Sequence, residues 1–388
     1  MSDLATAPPA PLSGAPDADV LGKVLDELPP GASGARVWAQ LGRSGLVESA
    51  YREGVVSRAR AGVLPDRLGA LLAAVDARFS VGATLSTCVQ LATVVPILAT
   101  GTGPAERALA RVVAGSATAA LAATDAGTGS DLTALATEVS LGDDEVVVTG
   151  TKRWITNATT AEYFLVLARH RPGRHFTSFT WVLVPAAAPG VAVGPADSEL
   201  FDGSGVGHVE FDGVRLSREH VVGRPGRALA SFARHIGTER LAGALWAVAL
   251  CRRVLEDTLN RLSARPHGDA TLWDLSGVRQ RFAACLVQVR QLRALVDQFG
   301  ERIATAYDTS AAALLKAAVG STVDRVLAEC AQLQGAEGFA TGGAQRLRAQ
   351  AAIFGIGGGT TEVVLSAVAD DAVSVLAELD VAPWPTAA

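Results

Sequence analysis

The spacing of apolar residues changes character twice along this chain of 388 residues, and that confines it to a helix–sheet–helix architecture. From about residue 18 to 118, VLGKVLDEL, DRLGALLAAVDARF and ATLSTCVQLATVVPILA place apolar residues three and four positions apart, as helices with a core-facing stripe do. From about 119 to 225, EVVVTGTKRWIT, EYFLVLARH, FTSFTWVLVP and GHVEFDGVRL are short, β-branched and aromatic-rich. Gly, Asp and Pro bound them, the pattern of an antiparallel barrel or sandwich. From about 226 to 376 helices return and are long, with apolar residues on more than one face, so a bundle that also packs against another subunit is expected. The expected division is a disordered tail over 1–18, a helical domain over 19–118, a β domain over 119–225 and a second helical domain over 226–388. The helix–β–helix order argues against a Rossmann fold, and no glycine string sits between the strand and helix of a βαβ unit.

Bulk chemistry narrows the partners. Hydrophobic residues make up 49% and charged residues 19%, a globular composition. The net charge of −5 supplies no basic surplus for nucleic acid or anionic membrane. Lys occurs only at positions 23, 152 and 316, Arg serving everywhere else, which reads as coding bias. Cys88, Cys251, Cys285 and Cys330 form no CxxC pair and have no histidine at zinc spacing, so buried free thiols in a reducing cytosol are expected and no metal. The N-terminal MSDLATAPPAPLSGAPDAD lacks a basic-then-apolar signal, and every apolar run of membrane-span length is interrupted by a charge or helix breaker. A cytoplasmic protein with no membrane partner is therefore expected, and none of the six histidines falls in a triad or metal pattern.

Five ordered motifs carry a resemblance. TDAGTGSD (124–131) and KRWITN (152–157) resemble the paired flavin motifs of the acyl-CoA dehydrogenase family, T-E-P-x-x-G-S-D and K-x-W-I-T-N. Glu239–Arg240 opening a long helix, QLQGAEGF (332–339) and GGGTTEVV (357–364) resemble further family motifs in the same order. The resemblance covers roughly 20–376 and implies an N-terminal helical domain, a middle β domain and a C-terminal four-helix bundle, with FAD bound non-covalently in a homodimer or homotetramer. Residue by residue, it implies that Thr124 and the backbone of Ala122 and Ala123 face the flavin pyrimidine. Trp154 packs on the ring, Thr156 offers a hydroxyl near N5, and Gly129 and Ser130 let backbone approach the pyrophosphate or the substrate's carrier arm. Donors near N1 and N5 suit a flavin, since reduction adds electron density there. Arg265, in ARPHGDATLW, stands where the family reaches across a subunit boundary to pyrophosphate, although His267 replaces the usual Phe and one residue is inserted. Arginine's planar fork suits phosphate oxygens. Gln332 and Gly335 match residues at the adenosine end, with Ala336 replacing a glycine.

The stretch GIGGGTTEVV (355–364) raises the chemical question. Thr360 and Glu362 match residues that touch FAD at a helix start, where unpaired N–H groups suit phosphate or ribose oxygens. Gly358 occupies the position where most family members carry the catalytic glutamate, and Gly357 replaces the aromatic before it. A subset of the family carries its carboxylate on the long helix instead, directly before an arginine, where Glu239 stands. Glu239 is accordingly read as the base. The alternatives are a structural or carrier-binding Glu239, an acid favoured at a helix start, or no acyl-dehydrogenating base at all. Arg240 is read as binding the pantetheine or nucleotide part of the substrate, with Gly358 beside the acyl chain.

The function implied is FAD-dependent desaturation of an acyl-CoA or acyl-carrier-protein thioester. A carboxylate takes a proton, flavin N5 takes a hydride, and an electron-transfer flavoprotein or similar acceptor takes the electrons. The departures at 357–358 and at Ala349–Gln350 favour secondary metabolism such as polyketide biosynthesis and are compatible with γ,δ chemistry on an enoyl thioester. A flavin monooxygenase on the same fold and a non-catalytic scaffold are the competing readings.

Overall fold

The computed structural model describes residues 18–52, 62–127, 129 and 131–379, so the expected tail lies, Ala18 apart, outside the described residues. Among the described residues seven α-helices come first: α1 (Ala18–Asp26), α2 (Gly34–Arg43), α3 (Leu46–Ser49), α4 (Pro65–Arg78), α5 (Val81–Val89), α6 (Val95–Leu98) and α7 (Pro104–Val113). Pro65 opens α4 at a position where its missing N–H costs nothing. Ser80 caps α5 by accepting from the Ala83 N–H at 3.1 Å. Between α5 and α6 the helix widens into a π turn, Gln90–Val94. The stretch Val81–Leu98 has the length and apolarity of a membrane span, yet it is mostly enclosed by protein, with Leu91, Val94, Val95 and Ile97 wholly buried. The equally apolar 344–370 is divided among three short helices.

The middle of the chain forms one eight-stranded sheet in the order β6-β7-β3-β2-β4-β5-β8, with β1 beside β4. Its strands are β1 (Ala119–Ala122), β2 (Glu138–Leu141), β3 (Glu145–Ile155), β4 (Tyr163–Arg169), β5 (Phe179–Pro185), β6 (Val191–Pro195), β7 (Gly207–Ser217) and β8 (Val221–Val222). Most pairs are antiparallel, as expected, but β1 runs parallel to β4, and Glu138 of β2 pairs in parallel with Arg169. The sequence signals strands, not the direction in which a short strand enters a sheet. Phe164, Val166, Val182, Val184 and Phe211 form a second core inside the sheet.

Three long helices follow: α8 (Ala228–Ala264), α9 (Ser276–Ala306) and α10 (Thr309–Gln334), with a small hairpin, β9 (Pro266–His267) and β10 (Ala270–Thr271), between α8 and α9. Four short helices follow among the described residues: α11 (Ala344–Ala351), α12 (Ile353–Ile356), α13 (Thr361–Asp370) and α14 (Ala372–Ala377). At 37 residues α8 extends about 55 Å and packs on α4, α9 and α10. Buried Asp76 of α4 locks the first contact by accepting from Trp246 Nε1 at 2.9 Å and Arg253 Nε at 2.8 Å. The helical, β and helical layers are the fold class expected from the sequence.

Lys152 of β3 is completely buried and donates to Asp125 Oδ1 at 2.5 Å, Leu167 O at 2.7 Å and Ala123 O at 3.0 Å. Asp125 in turn accepts from the backbone N–H of Ala136 and Thr137 at 2.6 and 2.7 Å. Burial pushes the Lys152 ammonium down to about 8, against the pull of Asp125. Replacing one partner of a buried pair strands the other charge, which costs about 3–5 kcal/mol. Lys152→Met is therefore expected to lower unfolding free energy by about that amount, and Asp125→Asn/Lys152→Met by less, as read from urea denaturation.

Candidate active site

The Lys152–Asp125 pair fastens TDAGTGSD to KRWITN. Next to it, Thr124 Oγ1 donates to Arg153 O at 2.9 Å, and the Arg153 N–H donates to Thr124 O at 3.0 Å. The register between β3 and β7 slips between Lys152 and Ile155, the kind of bulge that re-aims a side chain. Trp154 sits in that slip at φ +56, its indole 60% exposed. The Trp154 backbone N–H donates to His208 Nδ1 at 3.2 Å, and the two rings meet edge to face at 5.4 Å. Asn157, at φ +69, is fully buried and accepts from Ser86 Oγ of α5 at 2.5 Å. Two non-glycine residues held in left-handed conformations within four positions cost of order 1–3 kcal/mol each, and together they present one bare aromatic face. Thr124 and Thr156 are half-buried beside it, Ala122 is buried and Gly129 is exposed. A side chain built on Gly129 would meet nothing within 4 Å, so its backbone is open to approach. Ser130 lies outside the described residues.

A second cluster lies between α5, α8, α10 and the glycine-rich loop. A cavity of about 60 Å³ is walled by Leu85, Cys88, Val89, Trp246, Val319 and Phe354, and the polar groups facing it are Glu239, Arg240, Lys316 and the Gly357–Gly358 backbone. Among the described residues no hydrogen bond or ion pair reaches the half-buried Glu239 carboxylate. Burial raises its affinity for a proton above the ordinary carboxylate range, while Arg240 and Lys316 oppose that rise. Gly358 has φ +73, and a Cβ built on it would lie 3.6 Å from Glu239 Oε1 and 3.8 Å from Lys316 Cε. The side chain that the glycine lacks would thus enter the space that Glu239 faces. Arg240 Nε donates to Gly358 O at 3.2 Å, and Lys316 Nζ donates to Phe354 O, so two cations hold the loop on either side of the cavity.

The remaining expected site residues form two further groups. Arg265 ends α8 and is exposed, with its guanidinium 3.7 Å from where a Cβ on Gly335 would stand; exposed Gln332 is one turn earlier on α10. Thr360 is the N-cap residue of α13, with exposed Glu362 in its first turn. α5 relates the first two groups: Cys88 and Val89 line the cavity, and the π turn that follows packs against β1, which ends at Ala122.

Sequence reasoning passed over Lys316, which is only 4% exposed and is pushed down to about 8 by burial. The signal was present. A chain that uses Arg almost everywhere keeps three lysines, and two of them are buried at these sites. A compact ammonium fits against buried backbone carbonyls where a planar guanidinium does not, which suits Lys152 and Lys316 to their places. Cys88 was foreseen as a buried thiol but not as a cavity wall. All four cysteines are free and buried, and among the described residues no cluster of metal-ligating side chains occurs.

Two family descriptions match the chain: "Acyl-CoA dehydrogenase, middle domain" over residues 120–214 and "Acyl-CoA dehydrogenase, C-terminal domain" over 229–373. The chain is 28% identical over 271 residues to the acyl-[acyl-carrier-protein] dehydrogenase MbtN of Mycobacterium sp. (strain MCS), covering 67% of each chain. It is 26% identical over 279 residues to the cyclohex-1-ene-1-carbonyl-CoA dehydrogenase of Geobacter metallireducens, covering 69% of this chain and 72% of that one. Among solved structures, a probable acyl-CoA dehydrogenase from Mycobacterium abscessus superposes with a TM-score of 0.83 at 21% identity, over 92% of this chain and 97% of that one. An FAD complex of PigA superposes with a TM-score of 0.81 at 18% identity, over 92% and 93%. At these identities the superpositions establish the fold.

The left-handed backbone at Gly358 is expected to penalise any side chain there by about 1 kcal/mol, whereas the space around a single methyl group adds no clash. Gly358→Ala should therefore lower stability by about 1 kcal/mol in urea denaturation and leave the fold intact by circular dichroism.

Proposed function

The chain belongs to the acyl-CoA dehydrogenase family, and from that premise we propose that it desaturates an acyl thioester with FAD, using Glu239 as the proton acceptor. The observation that carries this reading is an unpaired carboxylate facing a small, largely apolar cavity, across from a glycine.

The residues present fit FAD. An exposed indole held out by strained backbone suits a flat aromatic ring, and the half-buried hydroxyls of Thr124 and Thr156 suit its polar edge. Arg265 beside Gly335, and the start of α13 at Thr360, suit the phosphate and adenosine ends. When bound, FAD supplies a two-electron acceptor for a hydride from carbon.

The chain's own part is acid–base chemistry and orientation. Glu239 accepts the proton from the carbon beside the thioester carbonyl at a carboxylate oxygen. Its raised pKa makes the carboxylate a better acceptor, and the surrounding apolar wall excludes water that would otherwise solvate it. Arg240 and Lys316 fix the loop that forms the opposite wall. Burial holds the Cys88 thiol protonated, so it does not compete as a base. The small cavity favours a short acyl end. Relatives that bear carrier-protein and CoA names support a thioester on either carrier, and a solved neighbour described as FkbI, for biosynthesis of a methoxymalonyl extender unit, fits a biosynthetic role. Exposed Leu286 and Val287 on α9, with Val363 and Leu365 on α13, support a homo-oligomer in which Arg265 reaches a neighbouring subunit's cofactor. An electron-transfer flavoprotein or similar acceptor completes the cycle.

Anaerobic bleaching of bound flavin by saturated short-chain thioesters tests this reading. Glu239→Gln should slow bleaching by about 10²–10⁴-fold, and Glu239→Gln/Gly358→Glu should recover part of the rate, because both positions address one space. Bleaching of Glu239→Gln at the unmodified rate would remove Glu239 from this role. In the unmodified enzyme, bleaching should accelerate as pH rises through a Glu239 pKa above the ordinary carboxylate range. Lys316 favours the ionised form of Glu239, so Lys316→Met should carry that limb to higher pH and Lys316→Arg should restore it in part. A limb that stays in place in Lys316→Met makes Lys316 a loop tie only.

A further inference from the structure

A second cavity, of about 350 Å³, opens at the start of α8 and shares no residue with the acyl cavity. It lies where three layers meet: the end of α6, the β5–β8 edge and the turn between α9 and α10. Arg224, Arg227 and Arg234 line it, and no Asp or Glu does, although the chain as a whole carries a net charge of −5. None of the three guanidinium groups makes a hydrogen bond or ion pair among the described residues. Glu219 faces a neighbouring depression that adjoins at Gly223.

The inner wall is built. Tyr307 ends α9 at φ +54, a left-handed conformation that glycine usually supplies at a helix end. Its ring carries the Arg234 guanidinium 4.0 Å from its centre and takes the edge of His235 at 6.2 Å. His235 is 6% exposed, lines the cavity, and has no hydrogen-bond partner among the described residues. Ser231 Oγ, one turn before it, is buried and also lacks a partner. A buried polar group without a partner, as Ser231 Oγ is here, is rare and costly. The first turn of α8 has no side-chain cap, so the positive end of a 37-residue helix faces the same place.

The geometry points to a phosphoryl-binding site in this cavity, formed by Arg224, Arg227 and Arg234 around the uncapped start of α8, with Ser231 and His235 as inner donors. Three planar forks and free helix N–H groups match the several oxygens of a phosphate ester or pyrophosphate better than a single carboxylate. The site is separate from the acyl cavity, whose polar groups, Glu239, Arg240, Lys316 and the Gly357–Gly358 backbone, do not line it. His235 precedes Glu239 by one helical turn, so a ligand held there adjoins the catalytic segment.

The test uses the FAD-loaded full chain, so that the cofactor's own phosphate site is filled. Inorganic phosphate, pyrophosphate and pantetheine 4′-phosphate are titrated by calorimetry in low-salt buffer, and ¹⁵N-histidine resonances are followed in parallel. Saturable binding of at least one probe is expected, with a shift of the His235 imidazole signal. Arg227→Gln and Arg234→Gln should each weaken it by about tenfold or more, the loss of one charged hydrogen bond. Arg252→Gln, which removes an exposed pair with Glu256 further along α8, should leave it unchanged. The tightest of the three probes identifies whether the source is free phosphate, a nucleotide-like diphosphate or a carrier arm. No saturable binding of any probe overturns the proposal, as does binding that both cavity variants keep at the affinity of the unmodified chain.

Discussion

The fully buried ammonium of Lys152 holds together everything that the middle domain offers a ligand. It draws the loop after β1 against β3, so that two segments 27 residues apart in sequence share one buried ion pair. The pair is tolerable in the interior because every donor and acceptor around it is matched: two carbonyls take the remaining lysine protons, and two backbone N–H groups and a threonine hydroxyl serve the aspartate. With that anchor in place, the bulge beyond Lys152 turns Trp154 outward and Asn157 inward. The outward residue becomes a platform and the inward one a tether to α5.

α5 and α8 carry that organisation to the cavity beside Glu239. α5 places Cys88 on the cavity wall, while its continuation through the π turn packs on β1. α8 supplies Glu239 and Arg240 from one turn and is pinned to α4 through Asp76 further along. Lys316 reaches in from α10. Two cations and one unpaired carboxylate around an apolar pocket form an arrangement whose protonation is set by burial first and by the neighbouring charges second. A Cβ on Gly358 would stand 3.6 Å from Glu239 Oε1, so a side chain on the loop and the carboxylate on the helix address one space.

The fold class was legible because hydrophobic spacing changes sharply where helices give way to strands, and α8–α10 are long enough to leave no ambiguity. Direction was not legible: nothing in AALA tells that β1 enters the sheet parallel to β4. The motifs pointed to Trp154 and Glu239, but not to the left-handed backbone that exposes the one, nor to the missing partner that marks the other. Lys316 is not legible in its own stretch of sequence, because one lysine in a helical run looks like surface, and only burial against Phe354 O distinguishes it. The cavity at the start of α8 draws on four separate stretches of chain, and no local pattern in any of them announces it.

The central claim is that the platform made by the two joined motifs receives the isoalloxazine ring. Hydrogen–deuterium exchange of the apoprotein with and without FAD tests it most directly. The account predicts slowed exchange over 119–127 and 152–158, together with uptake of yellow flavin. Uptake without protection in those two segments, or a chain that stays colourless after incubation with FAD, would contradict it.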